Sequence, residues 1–457
     1  NVRQMDFGQS CTAGDFDNDG FPDLYVANIG QNALLLNNGD GTFTELKPPA
    51  SAPLNWTSSV AIVDMNHDGD PDLVDVNYVS GDGVYTRTCE GESCSPNAFN
   101  GTADQIHLSD GLGGFQTVTG SADPRLAKGM GLIVFRESRD QPISILVGND
   151  QTPKYQLQLQ HQSNDGWLLT DVAPQTGLAY NGEGVQTAAM GIAADDIDGN
   201  GLTDFFIVNF RDEANTLYIQ EPGGVFRDVA RPAGMDTPGY AFVGWGTQFL
   251  DADLDGDTDV VISNGHVDDY RDKGEGFAMR SQLFRGISGA RFEELSAEQS
   301  GPFFAKEIHG RGLARLDWNR DGLPEFVVSC IASPAELVTN QTRQPGHQVT
   351  LRLIATATPR DAFLTIATAE TSSGQQTHQL YAGDGYHACN QRTLQMGLGN
   401  SEAIESVRVR WPSGTETTIT SPPVDCTLTC VEGREAAYTL KEADMATTLH
   451  IKTSPAQ

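Results

Sequence analysis

Nine residues near the start of the chain constrain it most. Asp15-Phe16-Asp17-Asn18-Asp19-Gly20-Phe21-Pro22-Asp23 places carboxylates at positions 1, 3, 5 and 9 and a glycine at position 6. Carboxylates at alternate positions repel one another unless a cation neutralises them. Ca2+ suits such a set, because it accepts six to eight oxygen ligands in a flexible geometry, whereas Mg2+ demands a near-ideal octahedron. Gly20 permits the sharp turn that wraps backbone around an ion.

A helical calcium hand would place a bidentate Glu at position 12 and continue into a helix. Here Val26 occupies position 12, and the exit Leu24-Tyr25-Val26-Ala27 is β-prone. The loop is therefore expected to join two strands, with the position-9 carboxylate closing it. The pattern recurs at Asp64, Asn66, Asp68 and Asp72; at Asp196, Asp198, Asn200 and Asp204; at Asp251, Asp253, Asp255 and Asp259; and at Asp317, Asn319, Asp321 and Glu325. Each copy runs into an apolar strand, such as Phe205-Phe206-Ile207-Val208. A single copy would pass as a solvated acidic turn. Five in register argue for about five Ca2+ sites with these twenty residues, Asp15, Asp17, Asp19 and Asp23 among them, as ligands. The expected role is structural: each ion pins one inter-strand loop.

The loops punctuate a longer repeat of four short strands, with a Gly-x-Phe hairpin before the last. Unit one carries the first loop. Unit two runs from Val60 to about Val118, with an insertion from Val79 to Thr102. Unit three, about Gly129 to Val172, has lost the metal signature at Phe135-Arg136-Glu137-Ser138-Arg139-Asp140. Units four, Met190 to Val229, and five, Gly246 to Leu295, follow, the latter with a polar insertion around Asp268 to Gly276. Unit six runs from Gly312 to about Leu353. No single unit buries both faces of its sheet, and radial stacking does. The fold class is thus all-β: a β-propeller of six to seven four-stranded blades over residues 1–340, the seventh to be built, if present, from termini unlike the repeat. Residues 341–457 form a small β-rich domain and a tail beyond Pro422.

These repeats resemble FG-GAP/VCBS repeats, the blades also found in integrin α-subunits. The C-terminal stretch, with Gly383-Asp384-Gly385-Tyr386, Met396-Gly397-Leu398-Gly399 and Val409-Arg410-Trp411-Pro412-Ser413-Gly414, is similar to an ASPIC/UnbV domain. Together they resemble the cartilage acidic protein family and its bacterial relatives. The resemblance implies an exported calcium-binding propeller and supplies no reaction.

The formal net charge is −32. Such acidity disfavours nucleic acid and anionic membranes as partners, and five filled sites would offset about ten charges. No apolar run approaches the ~18 residues of a membrane-spanning helix. There is no basic, apolar leader and no initiator Met at Asn1, so the numbering is expected to start after processing. Among seven Cys, Cys89/Cys94 and Cys426/Cys430 are close pairs expected to form local disulfides, with zinc as the alternative. Cys11 and Cys330 are expected in the core and Cys389 is unassigned. The compartment expected is secreted, periplasmic or cell surface.

No nucleophile elbow, phosphate-binding loop or His-Glu-x-x-His motif occurs. Lys128, His266 and Arg311 stand at strand ends near blade starts, where a propeller's channel opens. They would serve an anionic ligand or acid–base chemistry, or else hydrogen-bond neighbouring blades and close the ring; the second reading is preferred. The function expected is a non-catalytic binding or adhesion scaffold with a protein or glycan partner. The alternatives are an enzyme using the channel mouth and a subunit of a larger extracellular assembly.

Overall fold

Alternate residues of the strand that follows each blade's inner strand face opposite neighbours, and this period of two builds the ring. In Asp204–Asn209 every residue is buried. Phe205 packs back on Phe135, with ring centroids 4.9 Å apart, and Phe206 packs forward on Phe249 at 6.4 Å. A strand covered on both faces reads as a continuous apolar run, which is why these segments do not alternate in sequence. In this computed structural model of the 457-residue chain, the described residues are 7–47, 55–90, 93–120, 128–136, 141–162, 166–274, 276–434 and 437–440. Asn1, Glu137–Asp140 of the unit-three loop and the tail after residue 440 lie outside them.

Among the described residues six antiparallel blades form the propeller, the first two joined in one nine-stranded sheet. Their inner strands are Phe7–Gly14, Asn55–Val63, Gly129–Phe135, Ala189–Asp195, Gly244–Leu250 and Gly310–Leu316. Blade six, expected to reach Leu353, ends at Glu336–Val338 with three strands among the described residues. The run Val349 to Leu353 belongs instead to His347–Ile354, in the next part of the chain. There two four-stranded sheets enclose an apolar core that includes Val349, Leu351, Ala367, Val407, Val409 and Trp411. One of them contains a parallel pair, His347–Ile354 with Cys426–Val431.

One segment of that C-terminal part leaves it and enters the ring. Ala382–Gly385 pairs antiparallel with blade three, Leu132 opposite Gly385 and Val134 opposite Ala382. Gln248 of blade five donates to the Asp384 carbonyl at 2.8 Å, and Ser59 of blade two to that of Gly385 at 3.4 Å. The chain then turns at Tyr386 and His387 and returns. Cys389 Sγ accepts the Ala13 N–H of blade one at 3.3 Å, and Asn390 Oδ1 accepts the Arg315 N–H of blade six at 2.7 Å. A glycine pattern shows what the segment replaces. A side chain at Gly131 would strike the Met190 carbonyl of the next blade, one at Gly191 that of Trp245, and one at Gly246 the backbone of Leu313. At Gly312 of blade six the obstacle is the His387 carbonyl. The segment thus takes the place of a following blade's inner strand and stands between blades six and one.

The cysteines divide. Cys89 and Cys94 form a disulfide in the blade-two insertion. Cys426 and Cys430 do not: they lie four residues apart on one extended strand. That spacing separates them by about 13 Å at ~3.3 Å per residue, beyond the reach of a disulfide. Cys11, expected in the core, is exposed, and Cys330 is half-buried.

Candidate metal centres

All five acidic loops have one construction. The position-1 carboxylate accepts the position-6 glycine N–H: Asp15 from Gly20 at 2.9 Å, Asp64 from Gly69 at 3.1 Å, Asp196 from Gly201 at 2.8 Å, Asp251 from Gly256 at 2.9 Å and Asp317 from Gly322 at 3.1 Å. Position 5 accepts from position 7 in the same way, as Asp19 does from Phe21 at 2.8 Å. These bonds curl the backbone around the side chains. The glycines adopt positive φ, +97° at Gly20 and +96° at Gly256. Position 4 is left-handed as well, at Asn18, His67, Gly199, Leu254 and Arg320. Sequence reasoning passed over position 4. Asn and Gly there are signals for that conformation, and Leu and Arg are not.

Position 9 does more than close the loop. Asp23 accepts N–H groups from Phe16 at 2.8 Å and Asn37 at 2.7 Å. Asp72, Asp204 and Asp259 likewise bridge their own loop to a neighbouring strand. These residues are ladder clamps first, and any metal shares them. Glu325 uses one oxygen on Trp318 at 3.1 Å and leaves Oε1 buried without a partner.

Whether a cation fits is answered by the oxygens left over. Asp15 Oδ1, Asp196 Oδ1, Asp253 Oδ1, Asp317 Oδ1 and Glu325 Oε1 are buried and accept nothing. Buried unsatisfied acceptors are rare in folded proteins, and these lie in acidic loops. In three loops the carboxylates converge: ligand oxygens of Asp15, Asp17 and Asp19, of Asp196, Asp198 and Asp204, and of Asp251, Asp253 and Asp255 lie within 4.8 Å of one another. The other two carry Asn66 and Asn319 at position 3. Burial, the leading cause, raises the acids: Asp72, Asp204 and Asp251 to about 8, Asp259 and Glu325 to about 7, and Asp23, Asp64 and Asp196 to about 6. A bound cation would compensate the charge that burial penalises in these groups and make them ligands. The residues present fit hard, oxygen-ligated cations.

The loops also seat the C-terminal sheets. Gly346 and Gly399 donate to the Asp253 and Leu254 carbonyls at 2.8 and 2.9 Å. Gln395 Nε2 donates to the Gly322 carbonyl at 2.7 Å, and Asp361 accepts the Asp15 N–H at 2.7 Å. His378 Nδ1 lies 2.7 Å from Asp195, beside the blade-four loop.

The channel-mouth residues are buried. Arg311 donates to the Gly265, Gly310 and His266 carbonyls and lies 4.3 Å over the Trp245 ring. His266 Nδ1 accepts the Asp268 N–H at 3.1 Å. The structure thus brings Arg311 and His266 together at the seam of blades five and six. Lys128 precedes the inner strand of blade three and donates to Asn97 Oδ1 at 3.0 Å.

The FG-GAP-like repeat family matches residues 15–74 and 196–262, and the ASPIC and UnbV family matches residues 355–437. Cartilage acidic protein 1 of Mus musculus is 25% identical over 430 residues, covering 88% of this chain and 61% of that protein. Its Homo sapiens counterpart is 26% identical over 435 residues, covering 88% and 60%. The chain therefore spans about three fifths of the length of these relatives. Among solved structures, an Agrocybe aegerita lectin that recognises non-reducing terminal N-acetylglucosamine is 13% identical, with TM-score 0.40 over 73% of this chain and 81% of that one. Virginiamycin B lyase from Staphylococcus aureus is 10% identical, with TM-score 0.38 over 75% and 87%. Likeness of that degree carries no functional argument. The chain thus carries FG-GAP-like repeats in a β-propeller and an ASPIC/UnbV domain, and it is similar to cartilage acidic protein 1 over 88% of its own length.

Proposed function

We propose that the protein is an exported, non-catalytic binding scaffold whose five acidic loops hold Ca2+. The observation that supports this most is the set of buried, unpartnered carboxylate oxygens in four of those loops. Each ion would tie positions 1, 3, 5 and 9 of one loop together and relieve the repulsion among them. Because the same loops carry the C-terminal sheets, the ions would hold the two parts of the molecule in register. Export accords with the Cys89–Cys94 disulfide, which persists in oxidising compartments, and with the cartilage protein among the relatives. A protein or glycan partner would bind the outer surfaces. Elemental analysis of protein dialysed against calcium should give about five ions per chain, and EDTA should lower the melting temperature steeply. An ion-free protein with an unchanged melt would overturn the proposal.

A further inference from the structure

A cleft of about 830 Å³ opens between the acidic loops of blades one and six and the C-terminal sheet. Five arginines line it: Arg315, Arg320, Arg352, Arg360 and Arg392. The chain has 29 basic residues against 61 acidic ones, so five arginines in one cleft are an unusual concentration of positive charge. The carboxylates in the lining are Asp15, Asp317 and Asp361. Asp361 pairs with Arg392, and Asp15 lies 3.8 Å from Arg360. Arg315 gives Nη1 to the Phe249 carbonyl at 2.9 Å. Arg320 and Arg352 are exposed and, among the described residues, have no ion pair. They come from opposite walls, Arg320 from the blade-six loop and Arg352 from the strand His347–Ile354.

We propose that this cleft binds a small polyanion, a molecule with two or more carboxylate, sulfate or phosphate groups. The planar guanidinium fork matches such oxyanions, and two unpaired forks on facing walls suit a ligand with separated charges. The volume is that of a small-ligand site. Long polyanions are disfavoured, because the cleft is flanked by acidic loops on a chain of net charge −32. Cations bound at Asp15 and Asp317 would raise the potential in the cleft, so binding should be tighter with those loops filled. A bound ligand would bridge blade six to the C-terminal sheet.

The test is calorimetric titration in low-salt, calcium-containing buffer, with inositol hexasulfate as the polyanion and inorganic sulfate as the single-group probe. The wild type should bind the hexasulfate, more weakly as salt rises, and inorganic sulfate far less tightly. The double variant Arg320→Ala/Arg352→Ala should lose at least tenfold in affinity with an unchanged melt, since both side chains are exposed. Arg352→Glu alone should abolish binding. Arg408→Ala, on a distant strand where Arg408 pairs with Glu370, should leave binding intact. Absent wild-type binding, equal loss in Arg408→Ala, or unchanged affinity in the double variant would each overturn the proposal.

Discussion

Asp104 shows what burial does to a carboxylate remote from the loops. It is 5% exposed, accepts the Asn77 N–H at 2.9 Å through one oxygen, and has no partner for the other. Burial, only partly offset by that hydrogen bond, pushes its pKa from 3.8 to about 7. Between those values the native state keeps a proton that the unfolded state releases, so stability falls as pH rises from 4 to 7. Asp104→Asn keeps the acceptor for Asn77 and removes the titration. Urea unfolding should show the variant level with wild type near pH 4 and more stable near pH 8, by up to about 4 kcal/mol. A stability difference between variant and wild type that stays the same from pH 4 to pH 8 would refute this account. Nothing in the sequence marks Asp104: its burial is set by the insertion returning at Asn100–Gly101, a tertiary event.

At the scale of the element, the loops were legible because their chemistry is local. Spacing and residue type sufficed to place all five, with the strand that follows each. The double duty of position 9 was not legible, because its second hydrogen bond reaches a strand fourteen or more residues away, as from Asp23 to Asn37. Position 3 separates metal binding from folding most cleanly. Asp253 has a buried oxygen without a hydrogen bond and a pKa raised by burial and then by Asp255. Asp253→Asn should lower the calorimetric melting temperature in calcium and raise it, or leave it unchanged, in EDTA. A drop in both conditions would assign the residue to folding alone. The inner-strand glycines make a second test. Gly191→Ala drives a methyl group into the Trp245 carbonyl of the neighbouring blade, and overpacking of this kind costs about 1–3 kcal/mol. Denaturant unfolding should show that loss with the loops still able to take up calcium.

For the whole molecule, six repeat units and the β-rich C-terminal part followed from repeats and alternation, whereas the choice between six and seven blades and the interlocking of the two parts did not. Gly383-Asp384-Gly385-Tyr386 reads as a family signature, but no local pattern says that it will lie against the inner strands of several blades. The same arrangement ties the two parts thermodynamically. Tyr386 packs on Trp245 at 5.1 Å, and Asp384 holds Asn390, which in turn holds Arg315 and Gln248. Calorimetry in calcium should therefore give one transition for propeller and C-terminal sheets together. Two well-separated transitions would mean that the inserted segment does not couple them.

The contact between Ala13 and Cys389 spans 376 residues. During synthesis, blade one emerges long before the segment that must lie against it. Until then the flanks of blades one and six stay uncovered, and a chain whose decisive contacts are so distant in sequence commits slowly and risks aggregation on the way. Such a protein gains from being kept unfolded until residues 382–391 have been made, a condition that passage through a translocation channel imposes on its own.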